Sequence, residues 1–187
     1  MNKGLIALGA VIVVIIFILG GVFSLYNGLK ESEISVDAAY GQVENQMQRR
    51  SDLIPNLVNT VKGYDVHEKA VIEEVVNARA KLAGAQGVEQ MDAANAELTG
   101  ALGRLFAIAE AYPDLKANTQ YLELMRELAG SENRIAVARR DYNEAVREYN
   151  VRISTFPGMF LAGSMGMTQK PQFKAKEGAD AVPEVKF

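Results

Sequence analysis

The sequence predicts an all-α protein: an N-terminal transmembrane helix continuing into an antiparallel four-helix bundle whose first and last helices are long. Three observations predict it. Residues 4 to 26, "GLIALGAVIVVIIFILGGVFSLY", are 23 residues without a charge. Beyond them, apolar residues recur at steps of three, four and seven, the period of one helix face. Nothing alternates with period two, so no sheet is expected.

As a helix the uncharged run spans roughly 35 Å at ~1.5 Å per residue, enough for a bilayer core. A secretory signal peptide has a shorter apolar core of roughly 7 to 15 residues and a small-x-small cleavage site, which Phe23-Ser24-Leu25-Tyr26 does not offer. The run is therefore read as a single-pass anchor. Lys3 and the terminal amine face only Lys30 among nearby positive charges. That small bias favours a cytoplasmic N-terminus, with the remainder outside the cytoplasm.

Val36, Tyr40, Val43, Met47, Ile54, Leu57 and Val61 make one face of a first helix that runs to about Lys62, with no break from the anchor. Pro55 removes one backbone hydrogen bond inside it, so a kink is expected near Arg50 and Ser51. Asp65 and Glu68 form a capping-box pair opening a second helix, with Val71, Val75, Ala78 and Leu82 on its face and its end at Gly84. Met91, Leu98, Leu102, Leu105 and Ile108 mark a third, which Pro113 stops. A fourth runs from about Thr119 to Thr155 on Leu124, Leu128, Ile135, Ala138, Tyr142, Ala145, Tyr149, Ile153 and Phe156. The expected organisation is an anchor over 1–27, a helical bundle over 28–156 and a Gly/Pro-rich tail over 157–187. Short connections favour antiparallel neighbours, which returns the end of the fourth helix to the membrane side as part of a two-helix stalk.

Composition excludes several functions. A net charge of -3 is not that of a basic nucleic-acid binder, and no Cys and a single His leave no thiol nucleophile and no Cys zinc site. His67 sits alone in the first turn of the second helix, where the helix dipole disfavours its cation, and reads as a surface residue. Glu73 and Glu74 point about 100° apart. No cofactor, metal or catalytic residue is predicted.

The order of "RRSDLIPNLV", "VKGYDVHE", "AYPDLKAN" and "ENRIAVARRDYNEAVREYNVRISTFP" behind an N-terminal anchor resembles the LemA family over about residues 22–173. The resemblance implies a membrane-anchored antiparallel helical bundle of bacteria without a settled activity, and relatives often encoded beside a membrane metalloprotease.

A Tyr-Asn pair repeats one heptad apart, Tyr142-Asn143 and Tyr149-Asn150. The Tyr residues fall on the core stripe and the Asn residues about 100° round, beside Arg139. Buried Asn side chains can fix helix register, or the cluster can hold a polar ligand or partner. Arg49, Arg50 and Asp52 are expected to face it, because Arg50 interrupts the apolar stripe of the first helix. A second candidate is "FPGMFLAGSMGM", where Phe156, Met159, Phe160, Leu161 and Met165 offer apolar area for the membrane or a neighbouring subunit. Gly158, Gly163 and Gly166 are expected to let that stretch turn and lie flat, and Lys170, Lys174 and Lys176 follow as solvating charges. The expected function is a membrane-anchored scaffold or interaction module that self-associates as a homo-oligomer. The alternative is a sensor or adaptor that binds a small ligand or regulates a membrane protease or other membrane protein, and an enzyme comes last. Membrane lipid is an expected partner and nucleic acid is not.

Overall fold

The computed structural model describes residues 3–64 and 68–174, without the side chains of Lys3 and Ile6. Six helices follow in order: α1 (Lys3–Lys62), α2 (Lys69–Gly84), α3 (Gly87–Ala109), α4 (Pro113–Lys116), α5 (Thr119–Ser154) and α6 (Gly158–Ser164). The protein is all-α, with no strand among the described residues. The uncharged stretch and the helix face that follows it lie in one element, because no proline falls between Leu25 and Val36 to stop it. The window of α1 apolar enough to cross a membrane is 0% buried against protein.

The chain divides into two compact units, Met1–Ala39 with Glu144–Lys170, and Tyr40–Asn143 with Pro171–Phe187. In the first, α1 and α5 pair through Leu29, Ser32 and Val36 on one side and Val146, Tyr149 and Ile153 on the other. Steps of three, four and seven keep such a seam facing its partner. Arg152 Nη1 donates to the Gly28 carbonyl at 3.1 Å.

In the second unit α1, α2, α3 and α5 enclose a core that includes Ile54, Leu57, Val75, Leu98, Leu105, Tyr121 and Ile135. The cross-helix contacts run in opposing order. Along α1, Tyr40 meets Tyr142 while Arg50 meets Glu132, and on α2 and α3 Lys81 pairs with Glu97 while Glu74 pairs with Arg104. These neighbours run antiparallel, and between α2 and α3 the connection is only two residues long.

Local chemistry accounts for the joints. Pro113 opens α4 at a position whose N–H has no helical partner, and Leu115 beneath it is fully buried. Asn118 then starts α5: its Oδ1 accepts from the Tyr121 N–H at 2.8 Å, and its Nδ2 donates to the Tyr64 hydroxyl at 2.6 Å. Pro55 lies within α1 and cannot donate to the Ser51 carbonyl one turn back. That buried carbonyl accepts from Arg79 Nε of α2 at 3.0 Å instead.

Several details differ from expectation. The capping-box residue Asp65 and the lone His67 lie outside the described residues, and α2 begins later, with Glu68 at its N-cap making no side-chain cap. Ile72, one position round from Val71, takes the buried place in its first turn, and Val146 does so beside Ala145 on α5. Phe156, placed by periodicity on the core stripe, is 79% exposed because α5 ends at Ser154 and the stripe ends with it. The Gly- and Met-rich stretch expected to lie flat folds as α6. It closes on Gly166 at φ 67°, with Met167 N–H donating to the Ala162 carbonyl at 3.0 Å and Gly166 N–H to that of Gly163 at 3.3 Å. A left-handed residue with these two bonds is the Schellman ending, which a glycine adopts without steric cost.

Candidate functional site

The polar residues that interrupt the helix stripes fall into two groups, a layer inside the second unit and a set of clamps on the segment after α6.

The layer is centred on Arg50, 3% exposed on the buried face of α1. Its Nη1 donates to Asn95 Oδ1 of α3 at 2.8 Å and pairs with the Glu132 carboxylate of α5. Burial pushes the guanidinium pKa down and Glu132 pulls it back up. Arginine's ordinary value is so high that the group keeps its charge. Asn95 is itself 2% exposed, so its Oδ1 and the Arg50 Nη1 depend on each other for a hydrogen bond that water would otherwise supply. Arg49 instead reaches Glu127 on the surface at 3.5 Å, and Asp52 is exposed and accepts from Gln48 Nε2 at 2.7 Å. The three residues of "RRSD" that were expected to face the Tyr-Asn pairs thus go elsewhere.

The Tyr-Asn pairs meet main chain. In the first unit Asn150 Nδ2 donates to the Lys170 carbonyl and Asn150 Oδ1 accepts from the Lys170 N–H, both at 2.9 Å. The Lys170 ammonium pairs with Asp37 and lies 5.5 Å from the Tyr149 ring centre. Burial and the nearby Glu33 raise the Tyr149 pKa.

In the second unit Asn143 makes the same reciprocal pair with Phe173, again at 2.9 Å in both directions. The Tyr142 hydroxyl donates to the Pro171 carbonyl at 3.0 Å, Gln172 Nε2 to the Asn143 carbonyl at 2.9 Å and Arg139 Nη2 to the Lys174 carbonyl at 2.9 Å. Phe173 is 4% exposed, edge-on to Tyr142 with ring centres 5.3 Å apart and 4.8 Å beneath the Arg139 guanidinium. Arg139 is also paired with Asp92 of α3 at 2.8 Å.

A primary amide presents one acceptor and one donor side by side, matching the N–H and C=O of one extended residue. In each unit, one Asn side chain thus holds the main chain of one residue of the segment after α6.

A sequence model described as the LemA family matches residues 39–187. The chain belongs to the LemA family. It is 26% identical over 181 residues to magnetosome protein MamQ 2 of Paramagnetospirillum magneticum and to magnetosome protein MamQ of Magnetospirillum gryphiswaldense, covering 83% of this chain and 66% of each relative. It is 24% identical over 155 residues to protein LemA of Metamycoplasma hominis, covering 81% of this chain and 69% of that one. The chain thus spans just under two thirds of the MamQ proteins it matches. Within the LemA-matched residues lie the Arg50 layer and both clamps.

Among the contributors that escape a reading of the sequence alone are Glu132, Asn95, Arg79 and Phe173. Asn95 and Glu132 had a visible signal, since each lies on or beside an apolar stripe, four residues after Met91 and Leu128 respectively. Arg79 and Phe173 had none. Of the second candidate group, Phe156, Met159 and Phe160 are exposed, and Leu161 and Met165 are partly covered.

Proposed function

We propose that this chain is a membrane-anchored scaffold of the bacterial membrane, an interaction module that self-associates and works by holding polypeptide instead of turning over a substrate. The observation that carries this reading is the use of Asn143 and Asn150 as reciprocal main-chain clamps. An amide does not titrate, and the Tyr142 hydroxyl donates to the Pro171 carbonyl. Such groups suit holding a chain. The uncharged face of α1 supports attachment to a membrane, and the charge bias at Lys3 supports a periplasmic or extracellular position for the remainder. MamQ relatives named as magnetosome proteins fit a protein described by where it assembles.

The mass of the full chain in mild detergent, measured by light scattering across a range of concentrations, tests the proposal. The expected result is one uniform assembly of several copies, which broadens when Asn143→Leu and Asn150→Leu free the segment they hold. A monomer at every concentration, with a melting temperature that rises with one small compound, overturns the scaffold and favours a sensor.

A further inference from the structure

Within the first unit, α6 sits at a particular height on α1. Arg152 near the end of α5 donates to the Gly28 carbonyl at 3.1 Å, and Phe156 and Pro157 line one groove with Ser24 and Leu25. Ser24 and Leu25 belong to the last turn of the uncharged stretch of residues 4–26. One face of α6 is spent on the protein: Gly158 and Ala162 are buried, and a Cβ on Gly158 would approach Leu29 Cδ2. The other face is apolar as well. Phe156 is 79% exposed and Phe160 71%, their rings stacked edge to face with centres 6.1 Å apart, and Met159 beside them is 48% exposed. A pair of aromatic rings held together and turned away from the protein is costly in water and favourable at the boundary between acyl chains and headgroups.

We propose that α6 is an interfacial foot: Phe156, Met159 and Phe160 insert into the leaflet through which α1 leaves the bilayer, so that each copy touches lipid at two places. This rests on the reading of residues 4–26 as a membrane span. Continuity with that span selects lipid as the occupant, because Phe156 shares a groove with Ser24 and Leu25, where the span ends, and the Phe160 ring packs against Phe156. The foot fixes the rotation and tilt of α1, since a helix held at one side by a second contact cannot turn freely about its axis.

The chain contains no Trp, so a single introduced indole reports one position. Three full-length variants are reconstituted in separate vesicles of neutral phosphatidylcholine brominated near the top or near the middle of its acyl chains, so that the foot and the span are each read by bromine at their own depth. Phe17→Trp lies in the span, Phe160→Trp in the foot, and Ile34→Trp on α1 eight residues beyond Tyr26, roughly 12 Å farther along the helix. The expected result is loss of most emission for Phe17→Trp and Phe160→Trp, with Ile34→Trp little changed. Quenching of Phe17→Trp without quenching of Phe160→Trp overturns the foot and leaves the span intact. Absence of quenching at Phe17→Trp overturns the span and with it the foot. Blue-shifted emission from Phe160→Trp that lipid bromine does not quench assigns this face to a second copy and also overturns the proposal. If Phe160→Trp does not fold, Phe156→Trp reads the same depth.

Discussion

Replacing Arg50 with alanine removes the centre of the polar layer, and the structure sets the size of the effect. Asn95, 2% exposed, loses the partner of its Oδ1, an unsatisfied buried acceptor that costs about 1–3 kcal/mol. Glu132 has a side chain 33% exposed and regains water, so its loss is small. The space left by the arginine stem adds a cavity penalty of about 2 kcal/mol, toward the low end for a large-to-small core change. Against these stands relief from desolvation of the guanidinium, the same burial that lowers its pKa. The net expectation is a destabilisation of about 2–4 kcal/mol, or a fall in melting temperature of roughly 5–15 °C for a chain of this size. Circular dichroism at the helix band, followed through urea and thermal unfolding of the full chain in detergent, measures it. Arg50→Met separates the terms by keeping the volume and losing only the charge and its bonds. The triple change Arg50→Met, Asn95→Leu, Glu132→Leu should recover most of the loss, because an apolar layer leaves no polar group unpaired. A midpoint for Arg50→Ala unchanged within about 0.5 kcal/mol would refute the reasoning.

Arg79→Ala should cost about 1–3 kcal/mol by stranding the Ser51 carbonyl, and Pro55→Ala should recover part of it by restoring the helical N–H, which a double-mutant unfolding cycle detects. Tyr121 has its pKa pushed up to about 12 by burial and by Glu110, so the fold favours the protonated phenol. That contribution is complete below pH 10 and is lost as pH rises toward 12, about 2 kcal/mol in all, so the stability advantage of the parent over Tyr121→Phe should shrink across this window and not below it. A Cβ on Gly158 would overlap the Arg152 carbonyl oxygen, so Gly158→Ala should displace α6 and speed hydrogen exchange at its amides by at least tenfold, a loss of about 1.4 kcal/mol or more; unchanged exchange counts against that packing. Asn143→Leu removes two main-chain bonds from Phe173, ~2 kcal/mol, and should speed tryptic cleavage after Lys174 by a factor of about thirty; equal rates would show that the amide holds nothing.

What residues 3 to 154 read out by themselves was local. Periodicity placed Val43, Met47, Ile54, Leu57 and Val61 on one face, Gly84 ended α2, and Pro113 came just beyond the end of α3, because side-chain period and backbone restriction act within a few residues. The uncharged length of residues 4–26 marked a candidate span on composition alone. The recurrence of Tyr-Asn at a heptad showed that something repeated along one helix face. Tertiary structure decided what met what. Arg50 needed an acceptor, and any of several carboxylates satisfied the sequence; packing of α3 and α5 selected Asn95 and Glu132. The proline at 55 announced a free carbonyl, and only the approach of α2 assigned Arg79 to it. The Asn residues were legible as polar groups at a stripe edge, yet their partners are the backbone of Lys170 and Phe173, and backbone carries no residue identity for a sequence to display. Local pattern determines which groups must be satisfied, and long-range packing determines by whom.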